Sequence, residues 1–174
     1  TKSPVAGLYE LRAGSDIFYT DAQGDYVIAG RLLDTRSRIN VTEQRIAKLT
    51  AIDFKSLPLS DAIVWRQGTG ERKLVVFADP NCGYCKKFEK DLLTGKNVTV
   101  YTFLYPIASL HPDAPAKAQK IWCAADRAQT WTHWMAEKRE LQAAPACEDD
   151  PIEKLQALGQ KLHINSTPTM FLVN

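Results

Sequence analysis

A chain of 174 residues suits one ordinary domain or two small ones. With 45% hydrophobic and 24% charged residues it has the make-up of a globular protein, which excludes disorder, collagen-like sequence and coiled coil. The 22 basic and 20 acidic residues leave a net charge of +2, which makes no case for nucleic acid or an anionic membrane as partner. The longest unbroken aliphatic or aromatic run, residues 74–78, falls far short of the roughly 20 residues a membrane span needs. Nothing near Thr1 follows the basic, apolar, cleavage-site order of a secretion signal, so such a signal is expected to have been removed or never present.

Residues 8–12, 17–20 and 26–33 are rich in β-forming side chains. They are separated by Gly14-Ser15-Asp16 and Asp21-Ala22-Gln23-Gly24, both turn compositions, so the first third is expected to be an antiparallel meander. From Asn40 the period changes. Thr42 can cap a helix whose apolar residues Ile46, Leu49 and Phe54 recur at helical spacing among charged residues, ending near Leu57-Pro58. Its apolar stripe is narrow, as in a connector between two bodies, although an edge helix of one domain has the same pattern. Residues 62–66 and 74–78 then read as strands around Gln67-Gly68-Thr69-Gly70, and the second, apolar without alternation, fits a central strand covered on both faces. It runs through Asp79-Pro80-Asn81 into Cys82. Residues 85–93 form an amphipathic helical pattern stopped at Gly95. A strand over 98–104, helices over 114–128 and 131–139, a helix from Pro151 to Leu162 and a short strand over 169–173 complete the chain. From Ala62 onward this is an α/β order, in which sites gather at the carboxyl ends of the strands.

The four cysteines divide into Cys82-Gly83-Tyr84-Cys85 and the distant pair Cys123 and Cys147. A C-x-x-C at a strand-to-helix junction reads as a redox dithiol, because two sulfurs so close form a small, readily exchanged disulfide. Cys82 would occupy the amino end of the helix, where unpaired N–H groups, the helix dipole and neighbouring Lys86 and Lys87 favour the attacking thiolate. Cys85, one turn in, is expected to be more buried, less acidic and placed to resolve the mixed disulfide. Structural zinc is the rival reading. It takes four ligands, usually from two short-spaced pairs, and neither the distant cysteines nor His111, His133 and His163 provide them, so no metal is expected. Cys123 and Cys147 read as a structural bridge or as two buried thiols. Cys123, inside Ile121-Trp122-Cys123-Ala124-Ala125, suits either, whereas Cys147, between Pro145 and the acidic run Glu148, Asp149 and Asp150, favours the bridge. Its loop of about 25 residues would contribute roughly 3.5 kcal/mol, and a permanent bridge implies an oxidising compartment.

Asn40, Asn97 and Asn165 head Asn-x-Ser/Thr sequons, read here as caps and turns rather than glycan acceptors. Of the four tryptophans, Trp65, Trp122, Trp131 and Trp134, the helical patterns around Trp122 and Trp131 point to core packing rather than a ligand surface.

The dithiol, followed far downstream by Thr167-Pro168-Thr169, resembles the thioredoxin superfamily. By that resemblance the bond before Pro168 would be cis and face the dithiol, with Thr167 offering backbone groups to an extended client chain beside Gly83 and Tyr84. The plainer reading of Thr-Pro-Thr is an extended entry to a strand, which any X-Pro favours. Three features are similar to the bacterial periplasmic disulfide isomerases, the DsbC family. They are Phe77-Ala78-Asp79-Pro80-Asn81-Cys82-Gly83-Tyr84-Cys85-Lys86-Lys87, then Ile121-Trp122-Cys123-Ala124-Ala125-Asp126, then a second cysteine in an acidic stretch. The similarity reaches back to Pro4-Val5-Ala6-Gly7-Leu8-Tyr9-Glu10 and Asn40-Val41-Thr42.

The resemblance implies a mixed α+β and α/β chain. A small cystatin-like antiparallel β dimerisation domain would span 1–40, a linker helix 41–58, and a thioredoxin fold with a helical insertion 59–174. It implies a periplasmic homodimer without cofactor that rearranges incorrect disulfides in misfolded proteins through catalytic Cys82 and Cys85, with Cys123–Cys147 as a structural disulfide. The dithiol would be kept reduced by a membrane thiol reductase of the DsbD type, and an apolar cleft between protomers would give chaperone activity, with no membrane insertion and no nucleic acid. Family members carry a further strand and helix after the position of Val173, so the chain is expected to be truncated or partly ordered, with the amino-terminal helix of the dimerisation domain missing or nearly so. Where thioredoxins bury an Asp six positions before the first cysteine, this chain has Val76, and proton transfer is expected to be handled otherwise, solvent being one route. Three functions compete: a sulfenic acid reductase of the DsbG type, a chaperone-like binding dimer, and a zinc-binding structural protein.

Overall fold

The computed structural model describes residues 1–14, 16–49, 51–143 and 147–173. Ser15 of the first expected turn, Thr50 of the expected linker, Pro145 and Asn174 lie outside the described residues. The chain divides into two units, Thr1–Ile52 and Asp53–Asn174.

In the first unit, β1 (Tyr9–Ala13) and β2 (Asp16–Thr20) pair antiparallel from Tyr9↔Thr20 to Ala13↔Asp16, and β3 (Val27–Ile28) adds to the other side of β2. Between β2 and β3 the Asp21 carboxylate accepts the N–H groups of Gly24 and Tyr26, while Gly24 takes φ +83°, which glycine adopts without a Cβ penalty. The single strand expected over 26–33 is two. Gly30 interrupts the run, and Leu33 belongs to a separate ladder of β4 (Leu33–Asp34) and β5 (Ile39–Asn40).

Helix α1 (Val41–Leu49) starts where Asn40 accepts the Glu43 N–H at 3.1 Å, so the cap is Asn40 and not the expected Thr42. Thr42 is buried instead. Its hydroxyl is hydrogen-bonded to Tyr19 and accepts the Leu32 N–H at 2.7 Å, while Arg45 donates to both carboxylate oxygens of Glu10 at 3.0 and 3.1 Å. These contacts fasten α1 to the strands of its own unit. The linker helix expected over 41–58 is thereby corrected: the helix ends at Leu49. Asp53 opens a new 3-10 turn, Phe54–Ser56, by accepting the Lys55 N–H at 3.0 Å. Phe54 then packs in the second unit, edge-on to Tyr101 at a centroid distance of 5.1 Å.

The second unit holds a four-stranded sheet in the order β6 (Ile63–Gln67), β8 (Val98–Leu104), β7 (Arg72–Ala78), β9 (Thr169–Val173). β7 and β8 are parallel and joined through α2 (Gly83–Leu92), while β6 and β9 run antiparallel to their neighbours. β7 lacks alternation because it is paired on both edges and covered on both faces: Val75, Val76, Phe77 and Ala78 are all buried. Phe77 stacks on Phe103 and meets Tyr105 and Phe171 edge-on, which centres the core beneath the carboxyl end of β7.

The helical block breaks between Cys123 and Asp126 rather than running over 114–128. α3 (Ala114–Trp122) stops there, and Asp126 caps α4 (Arg127–Met135) by accepting the Gln129 N–H at 2.9 Å. Trp122, Trp131 and Met135 are core residues. α5 (Ile152–Lys161) approaches Tyr105 so closely that a Cβ at Gly159 would fall 2.2 Å from the ring. Cys123 and Cys147 are joined, with sulfurs 1.97 Å and Cα atoms 5.5 Å apart, so they are neither buried thiols nor zinc ligands. Beside the bridge the Trp122 indole donates to the Asp149 carbonyl at 3.0 Å, under the Arg127 guanidinium at 3.8 Å. Among the described residues no helix is long and apolar enough to cross a membrane.

Candidate active site

The register of the sheet brings the distant motifs together. β9 sets Thr169 against Phe77, so the segment before β9 comes up to the carboxyl end of β7, where Asp79-Pro80-Asn81-Cys82 leads into α2. The Thr167–Pro168 peptide bond is cis. Cys82 is the N-cap of α2: its sulfur accepts the Cys85 N–H at 3.4 Å and its thiol donates to the Thr167 carbonyl at 3.3 Å. Cys82, Gly83, Tyr84 and Thr167 share the wall of an open cavity of about 530 Å³ with Leu110 and His111. Cys85 and Pro168 are not among its lining residues. Tyr84, 79% exposed, and Leu110, 68% exposed, give the rim an apolar surface.

Both cysteines of the Cys82–Cys85 motif are free, and Cys85 is the more buried, at 2% exposure against 7% for Cys82. Burial pushes the Cys85 thiol from 9.0 up to about 12; the Cys82 sulfur adds to this, while the Asp79 backbone and Thr167 oppose it. The two sulfurs therefore have different work open to them. One faces the cavity, and the other is held protonated behind it.

Four neighbours of this site, Asp79, His111, Trp134 and Lys117, were given no role by the sequence. Asp79, fully buried, accepts the N–H groups of Asn81 and Ile107 at 2.7 Å each and the His111 ring Nδ1 at 3.0 Å, which pins the loops on either side of the cavity. His111 lies far from either cysteine in sequence, and only the sheet brings it near. Trp134 donates to the Pro80 carbonyl at 2.6 Å and carries the Lys86 and Lys117 ammonium groups 4.5 and 4.9 Å from its ring centroid. Burial, followed by the charge of Lys117, lowers the Lys86 pKa. Position 76, the site of the buried thioredoxin Asp, is an inert Val76 in the core.

The buried carboxyls among the described residues are Asp79 and Glu89. Burial pushes Glu89 above the usual carboxylate range, and the indole N–H groups of Trp131 and Trp65 pull it back. These indoles approach without closing full hydrogen bonds, since Glu89 Oε1 and both ring nitrogens lack a partner at bonding geometry. Among the described residues no group of three or more His, Cys, Asp or Glu is placed to hold a metal ion.

A family model described as a thioredoxin-like domain matches residues 59–174, and one described as the disulfide bond isomerase protein N-terminal domain matches residues 1–43. The chain is similar to a probable thiol:disulfide interchange protein DsbC of Bordetella avium, 45% identical over 165 residues that cover 95% of this chain and 58% of the relative. It is similar to the thiol:disulfide interchange protein DsbC of Escherichia coli, 30% identical over 99% of this chain and 71% of that one. The chain thus spans a little over half the length of the Bordetella relative. Among solved structures, a disulfide interchange protein from Neisseria gonorrhoeae superposes with a TM-score of 0.63 at 42% identity, covering 66% of this chain and 81% of that one. The alpha-DsbA2 thiol-disulfide exchange protein of Wolbachia pipientis, at 15% identity and a TM-score of 0.55 over 78% of this chain and 89% of that one, shares the fold.

Proposed function

The chain belongs to the DsbC family of thiol:disulfide interchange proteins, and we propose on that premise that it rearranges incorrect disulfides in client proteins of the bacterial periplasm. Cys82 is the nucleophile and Cys85 the resolving thiol. Thr167, whose carbonyl accepts from the Cys82 thiol, receives the client backbone, and Gly83 and Tyr84 border the client at the cavity mouth. The observation that carries this reading is the Cys82 sulfur at the head of α2, 3.3 Å from the Thr167 carbonyl and open to the cavity, with Cys85 buried behind it. The Cys82 thiolate attacks a client disulfide and forms a mixed disulfide. A client thiolate then expels Cys82, which completes isomerisation, or Cys85 does so, which reduces the client.

In this proposal the first unit is a dimerisation module. Support comes from its exposed apolar residues: Val27 and Ile28 on the short edge strand β3, Tyr26 just before it, and Leu33 on β4. A homodimer built on it would give the chaperone-like cleft, and reductant would come from a membrane reductase of the DsbD type. The test is recovery of activity from a scrambled multi-disulfide protein. Cys82→Ala is expected to abolish the catalysed rate, and a wild-type rate in that variant would sink the proposal.

A further inference from the structure

Resting on that reading, we propose that His111, oriented by buried Asp79, is a catalytic acid and base that moves protons to and from client sulfurs at Cys82. Asp79 Oδ2 takes both the Ile107 N–H and His111 Nδ1, so the ring hydrogen on Nδ1 faces a buried carboxylate and Nε2 is the nitrogen left for proton exchange. The imidazole is about a third exposed and shares the cavity wall with Cys82, Tyr84 and Thr167. A client disulfide that reaches Cys82 through this cavity enters a space that His111 also lines. Asp79 is the organising group: its other oxygen holds the Asn81 N–H, so the same carboxylate fixes the loop that presents Cys82 and the loop that presents His111. Asp79, just past the end of β7, contacts the ring, and the other charged or titratable groups lining the same cavity are Cys82, Tyr84 and Lys87 at the start of α2. Asp113, two residues on, is engaged by Lys117 at 2.7 Å. The segment from Asn165 to Thr167 presents no ionisable side chain.

In the forward step the Cys82 thiolate forms a bond to one client sulfur and the client S–S bond breaks. The departing sulfur takes the electron pair and accepts the Nε2 proton of imidazolium, leaving neutral His111. In the return step a client thiol gives its proton to Nε2, its thiolate attacks the mixed disulfide, and Cys82 leaves as thiolate. The numbers of thiols, disulfides and protons are unchanged over the cycle, so no outside oxidant or reductant enters.

The test exploits the leaving group. An alkyl thiolate leaves slowly and gains from an acid, whereas an aromatic thiolate leaves unaided. Reduced wild type, His111→Gln and His111→Asn are mixed with a cystine-containing peptide and with an aryl disulfide in single-turnover stopped flow from pH 5 to 9, after thermal melts confirm folding. The expected result is a loss of at least about tenfold on the peptide in both variants and a rate on the aryl disulfide within about twofold of wild type. Equal slowing on both disulfides, or no slowing on either, overturns the role of His111. Failure of wild type to react through Cys82 with either disulfide is a separate outcome that overturns the proposed function itself, and this role with it.

Discussion

Titrating the reduced protein with an alkylating agent tests the asymmetry between the two sulfurs. Moving the Cys85 thiol from 9.0 to about 12 means about a thousandfold less thiolate at any pH below 9, equivalent to about 4 kcal/mol against the charged form. Burial is the leading cause, so the protection belongs to the folded state. At pH 8, timed iodoacetamide quenching with peptide mass spectrometry is expected to show Cys85 modified at least about fiftyfold more slowly than in chaotrope, since thiolate supply falls about a thousandfold and the greater nucleophilicity of the more basic thiolate returns about twentyfold. Steric exclusion alone also slows alkylation, but its pH dependence differs. A thiol held near 12 gains about a decade in rate for each pH unit through pH 10 and 11, whereas a merely inaccessible thiol of ordinary acidity levels off near 9. A plateau near 9 in the folded protein would refute the reasoning. Stability carries the same sign: with the folded pKa raised, the contribution of Cys85 is fully present below about 9 and is lost as pH rises towards 12, a slope that Cys85→Ala removes.

Removing both partners of the distant bridge with Cys123→Ala and Cys147→Ala should lower stability by about 3.5 kcal/mol from the loop of roughly 25 residues it closes. Denaturant melts read this, and a loss below about 1 kcal/mol would show that packing around Trp122 holds the segment without the bridge. Glu89→Gln should flatten the pH dependence of stability. With its folded pKa raised by burial, wild-type Glu89 contributes fully below the ordinary value of 4.5 and loses that contribution as pH rises through the folded value. Urea melts from pH 4 to 8 are therefore expected to diverge in favour of the glutamine variant, and parallel curves would refute ionisation at this site.

Local patterns carried most of the second unit. The unbroken apolar run at β7, the amphipathic period of α2 and the apolar segments of β8 and β9 each answer to burial, which leaves a direct trace in residue type. The linker failed for an equally local reason. Ile46, Leu49 and Phe54 continue one helical period, yet Asp53 offers its carboxylate to the Lys55 N–H, and capping outweighs a narrow apolar stripe. The hairpin region misled because two-residue strands are set by pairing partners rather than by composition, and Gly30 lets the chain change sheets. In the site, Cys82, Cys85 and Thr167 were legible through a short motif and a resemblance. Asp79, His111, Trp134 and Lys117 were not, because their meaning lies in contacts across 28 to 54 positions that no spacing rule encodes.

On the proposed reading, the buried thiol also decides which product the mixed disulfide yields. Cys85 and a client thiol are both tethered to the intermediate, so proximity separates them little and thiolate supply matters more. A client thiol of ordinary acidity is about a thousandfold richer in thiolate than a thiol near 12. Intrinsic nucleophilicity returns part of that difference, since reactivity rises by about 0.4–0.5 decades for each unit of pKa and three units restore roughly twentyfold. The remainder, roughly fiftyfold, favours the client's own thiol and hence rearrangement over reduction. The Cys82 charge is absent from the mixed disulfide, which trims the advantage, but burial, the largest cause of the shift, persists. A variant in which Cys85 becomes more acidic, identified by the same alkylation titration, is expected to move the partition towards reduced client, read as the ratio of reduced to rearranged product from one scrambled substrate. An unchanged ratio, with Cys85 shown by alkylation to have become more acidic, would mean that thiolate supply does not set the outcome.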